Sequence, residues 1–309
     1  MIAEVGSKRL SLPRKFFSHW DITSYCNYNC RYCTYENRNE KFYDYGHKLK
    51  IIQFYEYLCI YYDLDLILFG GEPTLDPDFF RVVERLNTSL YPLQIFTNLS
   101  QSIAWFKELY KKRRYIRFIA SYHYGMTNPK KFIDKVRFLL DHFYEVYVKI
   151  MWDSNYKGII KEIYKMFQPL KNDYSDFVLS IDRIWHWDQD FNVNDIEWYF
   201  GEQRKNQRLH TYYEVDNGIK YSTSFNEIKL KCNGIANYEG MECDCGLKNL
   251  IVCSNGDVHY CLTFRKNHFK PLFNIVKDNY IDYIHLLDKN IICPHKNCYS
   301  EVAVPKRII

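Results

Sequence analysis

Residues 17–184 alternate short β-rich runs with amphipathic helical stretches, and this alternation constrains the fold more than any other feature of the 309-residue chain. The runs FSHWDIT (17–23), LDLILF (64–69), LQIFTN (93–98), YIRFIASYH (115–123), YEVYVKIM (144–151) and DFVLSIDRI (176–184) are rich in β-branched and aromatic residues, as strands are. Between them lie predicted helices near 47–61, 77–89, 101–113, 128–142 and 156–168. In the fourth of these, Phe132, Val136, Leu139 and Leu140 fall on one face, and Asn128 before Pro129 supplies a cap and a first-turn residue. Strand–helix repetition of this kind implies parallel βαβ units. Six units give an α/β fold, either an open sheet or a partial barrel, with function gathered at the C-terminal strand ends.

The pattern loosens after residue 185. A helix is predicted over 194–208, followed by a polar stretch, and seven of the eleven cysteines lie between Cys232 and Cys298. The expected organisation is a core domain over 1–205, a linker over 206–230 and a small cysteine-rich module over 231–309. The first 17 residues carry no apolar signal-peptide core. The most apolar stretch, 58–69, contains Asp63 and Asp65 and is too short and too charged to span a bilayer. Eleven cysteines without a secretory signal point to metal, cluster or redox chemistry in a reducing cytoplasm. The N-x-S/T matches at Asn87 and Asn98 then have no secretory context. The net charge of +5 is scattered, and its one basic run, Lys111–Arg114, suits the C-terminal end of a helix. A nucleic-acid partner and a membrane partner are therefore not expected.

Two motifs carry the chemistry. Residues 26–33 read CNYNCRYC, placing Cys26, Cys30 and Cys33 in the loop after the first strand. Structural zinc closes four corners. The next thiol, Cys59, sits in a helix among apolar residues and reads as core. Three ligands suit an iron–sulfur cluster whose fourth iron stays open for a substrate or cofactor. The second motif, Gly70-Gly71-Glu72-Pro73, ends the second strand. Its glycines permit close backbone approach, Glu72 offers an acceptor for an ammonium group, and Pro73 fixes the turn.

With both motifs in place, the chain resembles the radical S-adenosylmethionine (radical SAM) superfamily over roughly residues 15–185. The resemblance implies a partial (β/α)6 barrel. It implies a 4Fe–4S cluster on Cys26, Cys30 and Cys33, with the amino and carboxylate groups of S-adenosylmethionine (AdoMet) on the unique iron. Tyr32 takes the family's aromatic position near the adenine, and Gly70, Gly71, Glu72 and Pro73 match the segment that meets the cofactor's amino group. Asn98 after Thr97, and Ser121 and His123, stand where the family places polar cofactor contacts; Lys149 and Met151 on the fifth strand are further positions of this kind. The chemistry implied is reductive cleavage of AdoMet to a 5′-deoxyadenosyl radical that abstracts hydrogen from substrate, with the electron supplied by a donor such as flavodoxin or ferredoxin.

In the C-terminal module, LIVCSNGDVHYC (250–261) reads as a β-hairpin closed by Asn255-Gly256 in a type I′ turn, with Leu250 opposite Cys261. Structural zinc and an auxiliary iron–sulfur cluster both suit the thiols here. The spacing Cys245-x10-Gly256-x4-Cys261 is similar to the first half of the SPASM/twitch pattern. That resemblance implies an auxiliary 4Fe–4S cluster on Cys245, Cys261, Cys293 and Cys298, with Cys232, Cys243 and Cys253 as alternates. The first strand begins near residue 17 and leaves no room before it for a precursor-binding domain, which favours a small-molecule substrate over a ribosomally made peptide. A non-catalytic metal-binding scaffold is the reading of another class, and it leaves the Gly-Gly-Glu-Pro motif without a task.

Overall fold

The computed structural model describes residues 14–33, 35, 42–86, 93–142, 144–183, 211–215, 219–223, 238–287, 289–296 and 306–307. The predicted helix over 194–208, Cys232 and Cys298 lie outside the described residues.

All six predicted strands and five predicted helices form, in the expected order. They are β1 (Arg14–Thr23), α1 (Tyr45–Leu58), β2 (Tyr62–Gly70), α2 (Phe79–Leu86), β3 (Leu93–Thr97), α3 (Ile103–Lys112), β4 (Ile116–Tyr122), α4 (Pro129–Asp141), β5 (Glu145–Trp152), α5 (Lys157–Phe167) and β6 (Phe177–Arg183). Local chemistry sets the helix starts. Asp44, Ser102 and Asn128 each accept backbone N–H groups from the first turn of α1, α3 and α4, satisfying donors that have no intrahelical partner. Pro129 occupies the first position of α4, where its missing N–H costs nothing.

β1 to β6 pair side by side and parallel, in sequence order. Along each strand one set of alternate residues packs into the hydrophobic core with the helices. On β5 these are Val146, Val148, Ile150 and Trp152, and on β1 they are Phe16, Trp20 and Ile22. The intervening residues, among them His19, Asp21, Phe69, Phe96, Ser121, Lys149 and Ser180, face the opposite side. The sheet is not closed, which matches the expected partial barrel.

The C-terminal hairpin extends this same sheet. β7 (Thr211–Val215) and β8 (Ile219–Thr223) form a separate antiparallel pair. Beyond them come the short β9 (Glu242–Cys243), β10 (Asn249–Val252), β11 (Asp257–His259) and β12 (Phe273–Asn274). β10 adds parallel to β1, pairing Ser18 with Leu250 and His19 with Ile251, and β11 and β12 follow antiparallel. The result is a nine-stranded sheet in the order β12-β11-β10-β1-β2-β3-β4-β5-β6.

The hairpin turn differs from the expected one. Ile251 pairs with His259, and Cys253 N–H donates to Asp257 O at 2.8 Å, so the loop has three residues and Leu250 stands opposite Tyr260. Only Gly256, at φ +87°, takes a left-handed conformation in this loop, whereas a type I′ turn needs two. Asn255 instead uses its side chain, accepting from Asp257 N and donating to Asp257 Oδ2.

Candidate active site

The three-cysteine loop starts directly after β1, and its path is set by the glycine turn at the end of β2. Gly70 has φ +133°, and a Cβ there would lie 2.1 Å from Thr23 O; a Cβ on Gly71 would lie 2.2 Å from Tyr25 O. The glycines therefore admit the chain's own backbone: Gly71 N donates to Thr23 O and Glu72 N to Tyr25 O. The sequence alone suggested close approach to a ligand. In the fold the same freedom first seats the cysteine loop.

Glu72 is fully buried and engaged by protein donors. Its Oε1 accepts from Thr74 N, Thr74 Oγ1 and Thr97 Oγ1, and its Oε2 accepts from Asn98 N at 2.6 Å. Burial pushes its pKa up, and these bonds oppose the shift. Pro73 is buried beside it. The carboxylate thus ties the turn after β2 to the end of β3. Asn98 passes the constraint on, donating from Nδ2 to Asn27 Oδ1 at 3.0 Å with Cys26 Sγ at 3.8 Å. Leu99, next in sequence, is buried at φ +52°, a strained conformation for a residue with a side chain.

Three side chains of the loop reach to separate elements. Arg31 pairs with Asp153, just past β5, at 2.6 Å. Tyr32 Oη is 2.8 Å from His123 Nδ1, just past β4, with the rings stacked. Tyr35 donates to Asp21 Oδ1 at 2.8 Å and accepts from Arg265 at 3.1 Å. Arg265 lies on the short helix Leu262–Lys266 that follows Cys261, and it also pairs with Asp21. Burial, followed by the Cys30 thiol, pushes the Tyr32 hydroxyl pKa up. Burial lowers His123 to about 4, so the ring is neutral at pH 7.

These ties close one cavity at the C-terminal strand ends. Cys26, Cys30, Cys33 and Tyr32 line it from the loop, Gly70 and Gly71 from β2, Asn98 from β3, Ser121 and His123 from β4, and Lys149 and Met151 from β5. Glu72 and Pro73 stand behind this wall and are not among its lining residues. Phe69, Phe96 and Tyr35 also line it, and Tyr35 escaped sequence reasoning; its position two residues after Cys33 was the available signal. Cys59 caps α1 away from the cavity, where burial raises its thiol to about 11.

A second cysteine group forms in the C-terminal region. Cys243, Cys245, Cys261 and Cys293 are buried together with Tyr238. Cys245 opens the four-residue helix Cys245–Lys248 and Cys261 closes the hairpin. Cys243 and Cys293 lie on one face of a ladder, because β9 pairs antiparallel with β13 (Ile291–Ile292), Ile291 opposite Cys243. Hydrogen bonding to Cys243 and Cys261, then burial, raises the Cys245 pKa well above the ordinary thiol value. Cys243, expected only as an alternate, is thus inside the group. Cys253 sits in the hairpin turn, half-buried.

No protein-family model matches the chain, and no curated protein does. Solved structures share its fold. One is anSMEcpe with bound AdoMet, at TM-score 0.56 and 16% identity over 88% of this chain and 80% of that one. Another is anSMEcpe with bound AdoMet and a peptide named Cp18Cys, at TM-score 0.56 and 16% identity over 89% and 80%. Streptococcus suis SuiB bound to its precursor peptide SuiA aligns at TM-score 0.49 and 14% identity over 88% of this chain; the chain spans 65% of the length of SuiB. Among the described residues, no helix is long and apolar enough to cross a membrane.

Proposed function

We propose that the chain is a radical SAM enzyme whose three loop cysteines hold a 4Fe–4S cluster open to AdoMet. The observation that carries this is the meeting of Cys26, Cys30 and Cys33 with the Gly70-Gly71 turn on one cavity wall. Cluster and AdoMet, when bound, supply a 5′-deoxyadenosyl radical for hydrogen abstraction. The chain's own residues bind, orient and exclude water. Among the described residues, no three His, Cys, Asp or Glu side chains converge as ligands of a single ion would. An iron–sulfur cluster asks for less convergence, since each thiolate meets its own iron.

The backbone of the Gly70-Gly71 turn would meet the cofactor's ammonium group, Ser121 and Asn98 would offer neutral polar contacts, and Tyr32 with His123 would form a neutral aromatic wall for the adenine. Glu72 acts through Asn98 and the turn, as a positioning residue. Flavodoxin or ferredoxin is the class of electron donor.

The buried C-terminal thiols hold the auxiliary cluster. Cys243 joins Cys245, Cys261 and Cys293 in this set, and Cys298 is a further candidate. The four thiols are buried together in one cluster, and thiolates held so close suit a strong cationic centre. The substrate is a small molecule. A peptide is the second reading, favoured by the peptide bound in anSMEcpe, which shares the fold.

Anaerobic reconstitution tests both sites. About eight irons per chain are expected with both clusters, and about four with the loop cluster alone. Cys30→Ala should abolish reductive cleavage of AdoMet, and cleavage that survives it would sink the assignment.

A further inference from the structure

Below the cavity, the sheet face opposite the helices carries buried polar groups with no hydrogen-bond partner among the described residues. Both ring nitrogens of His19 and the Ser180 hydroxyl lack a hydrogen-bond partner among the described residues, at 4% and 1% exposure. Groups so placed are rare because each costs its full desolvation. Neither His19 nor Ser180 is among the residues that line the cavity, but both lie next to groups that are: Ser180 beside Lys149, the one lysine or arginine of the lining among the described residues, and His19 against Phe69, whose ring packs on Phe96 beneath the Lys149 ammonium. Ser180 is the register neighbour of Lys149 on β6, as Ser121 is on β4. Burial, and next the Lys149 charge, lower the His19 pKa to about 3, so at pH 7 the ring is a neutral N–H donor. The His19 ring lies edge-on to Phe69, at 5.8 Å, and Phe69 lines the cavity.

The Lys149 ammonium points away from the cysteine loop. It lies 4.9 Å from the Phe96 ring centre and 5.8 Å from that of Tyr147, both nearer the N-terminal strand ends than Asn98 and Ser121. His19 is four residues before the end of β1, about 13 Å along the strand.

We infer that Lys149, Ser180 and His19 form a subsite for a carboxylate of the substrate, deeper in the sheet than the cofactor. One cation with two neutral donors matches a monoanion, and Phe69 and Phe96 offer apolar surface to the carbon skeleton beside it. The inference rests on the reading of this cavity as the catalytic centre, and it holds for a small acid and for an acidic or C-terminal peptide residue.

Acetate is the probe. Its binding to anaerobically reconstituted protein saturated with AdoMet can be followed by saturation-transfer NMR. Saturable binding is expected, weakened at least about tenfold in Lys149→Met and about threefold in Ser180→Ala, with unfolding midpoints recorded to confirm that both variants fold. Equal acetate affinity in wild type and both variants overturns the subsite. In a parallel titration without AdoMet, acetate binding that is then lost on adding AdoMet also overturns it, by assigning Lys149 to the cofactor's own carboxylate. Failure of the wild type to bind AdoMet, with Lys149-dependent acetate binding intact, overturns the cofactor reading and leaves the anion subsite standing.

Discussion

Glu72→Gln separates a cofactor ligand from a positioning residue. The wild-type carboxylate accepts four protein hydrogen bonds, two of them from the backbone N–H groups of Thr74 and Asn98. A glutamine has one acceptor oxygen. With that oxygen toward Thr74 and Thr97, the amide NH₂ confronts Asn98 N–H; flipped, it confronts Thr74 N–H. Either way one buried donor loses its acceptor, at about 1–3 kcal/mol, and the remaining bonds lose their charge assistance. Relief of the buried charge offsets part of this. The net expectation is about 2–4 kcal/mol of stability, a fall in midpoint of roughly 4–12 °C. The assay is urea or thermal unfolding of wild type and variant, paired with AdoMet affinity by equilibrium dialysis. A positioning role predicts a large stability loss with AdoMet affinity following the folded fraction. An unchanged midpoint with AdoMet binding weakened more than about tenfold, equivalent to 1.4 kcal/mol, would refute the positioning role and make Glu72 a direct ligand.

Gly71→Ala should displace the cysteine loop, because its Cβ meets Tyr25 O at 2.2 Å and Ser24 O at 2.4 Å, both rigid backbone; iron content after reconstitution should fall sharply, and full iron retention would contradict the seating role. Arg265→Met leaves the buried Asp21 carboxylate without its cation, so a loss of about 3 kcal/mol is expected, and Asp21→Asn in the same chain should recover part of it in a double-mutant cycle. His19 is held neutral at about 3 by burial and Lys149. The unfolded chain therefore binds one more proton below pH 6.5, and stability should fall by about 1.4 kcal/mol per pH unit from there toward pH 3; His19→Phe should flatten that slope in acid-unfolding curves. With Cys26, Cys30 and Cys33 all changed to Ser, the remaining iron should be lost on adding Cys243→Ser, and retention of that iron would exclude Cys243 as a ligand.

Much of this protein was legible in its sequence, because the signals are local. Strand and helix periodicity, the cap at Asn128, and the cysteine spacing after β1 depend on residues within a few positions of one another. The six parallel strands follow from that alternation, since each helix returns the chain to the same end of the sheet. The loop cysteines and the glycine turn were legible for the same reason: each motif lies at a strand end, and neighbouring parallel strands bring their C-terminal ends together.

What the tertiary structure alone decided is long-range. Nothing in residues 249–252 says that they pair with β1, more than two hundred positions earlier. Turn propensity pointed to two loop residues, and the fold has three, in a turn tied to the next strand: Ile275 N donates to Gly256 O, and Asn274 donates to Asn255 O and Asp257 Oδ1. Cys243 enters the thiol group through its pairing with Ile291. Glu72 reads in sequence as an available acceptor, yet the fold spends its carboxylate on Thr74, Thr97 and Asn98. Spacing along the chain fixes which groups can share an element. Which of their atoms remain open to a ligand depends on partners that only packing supplies.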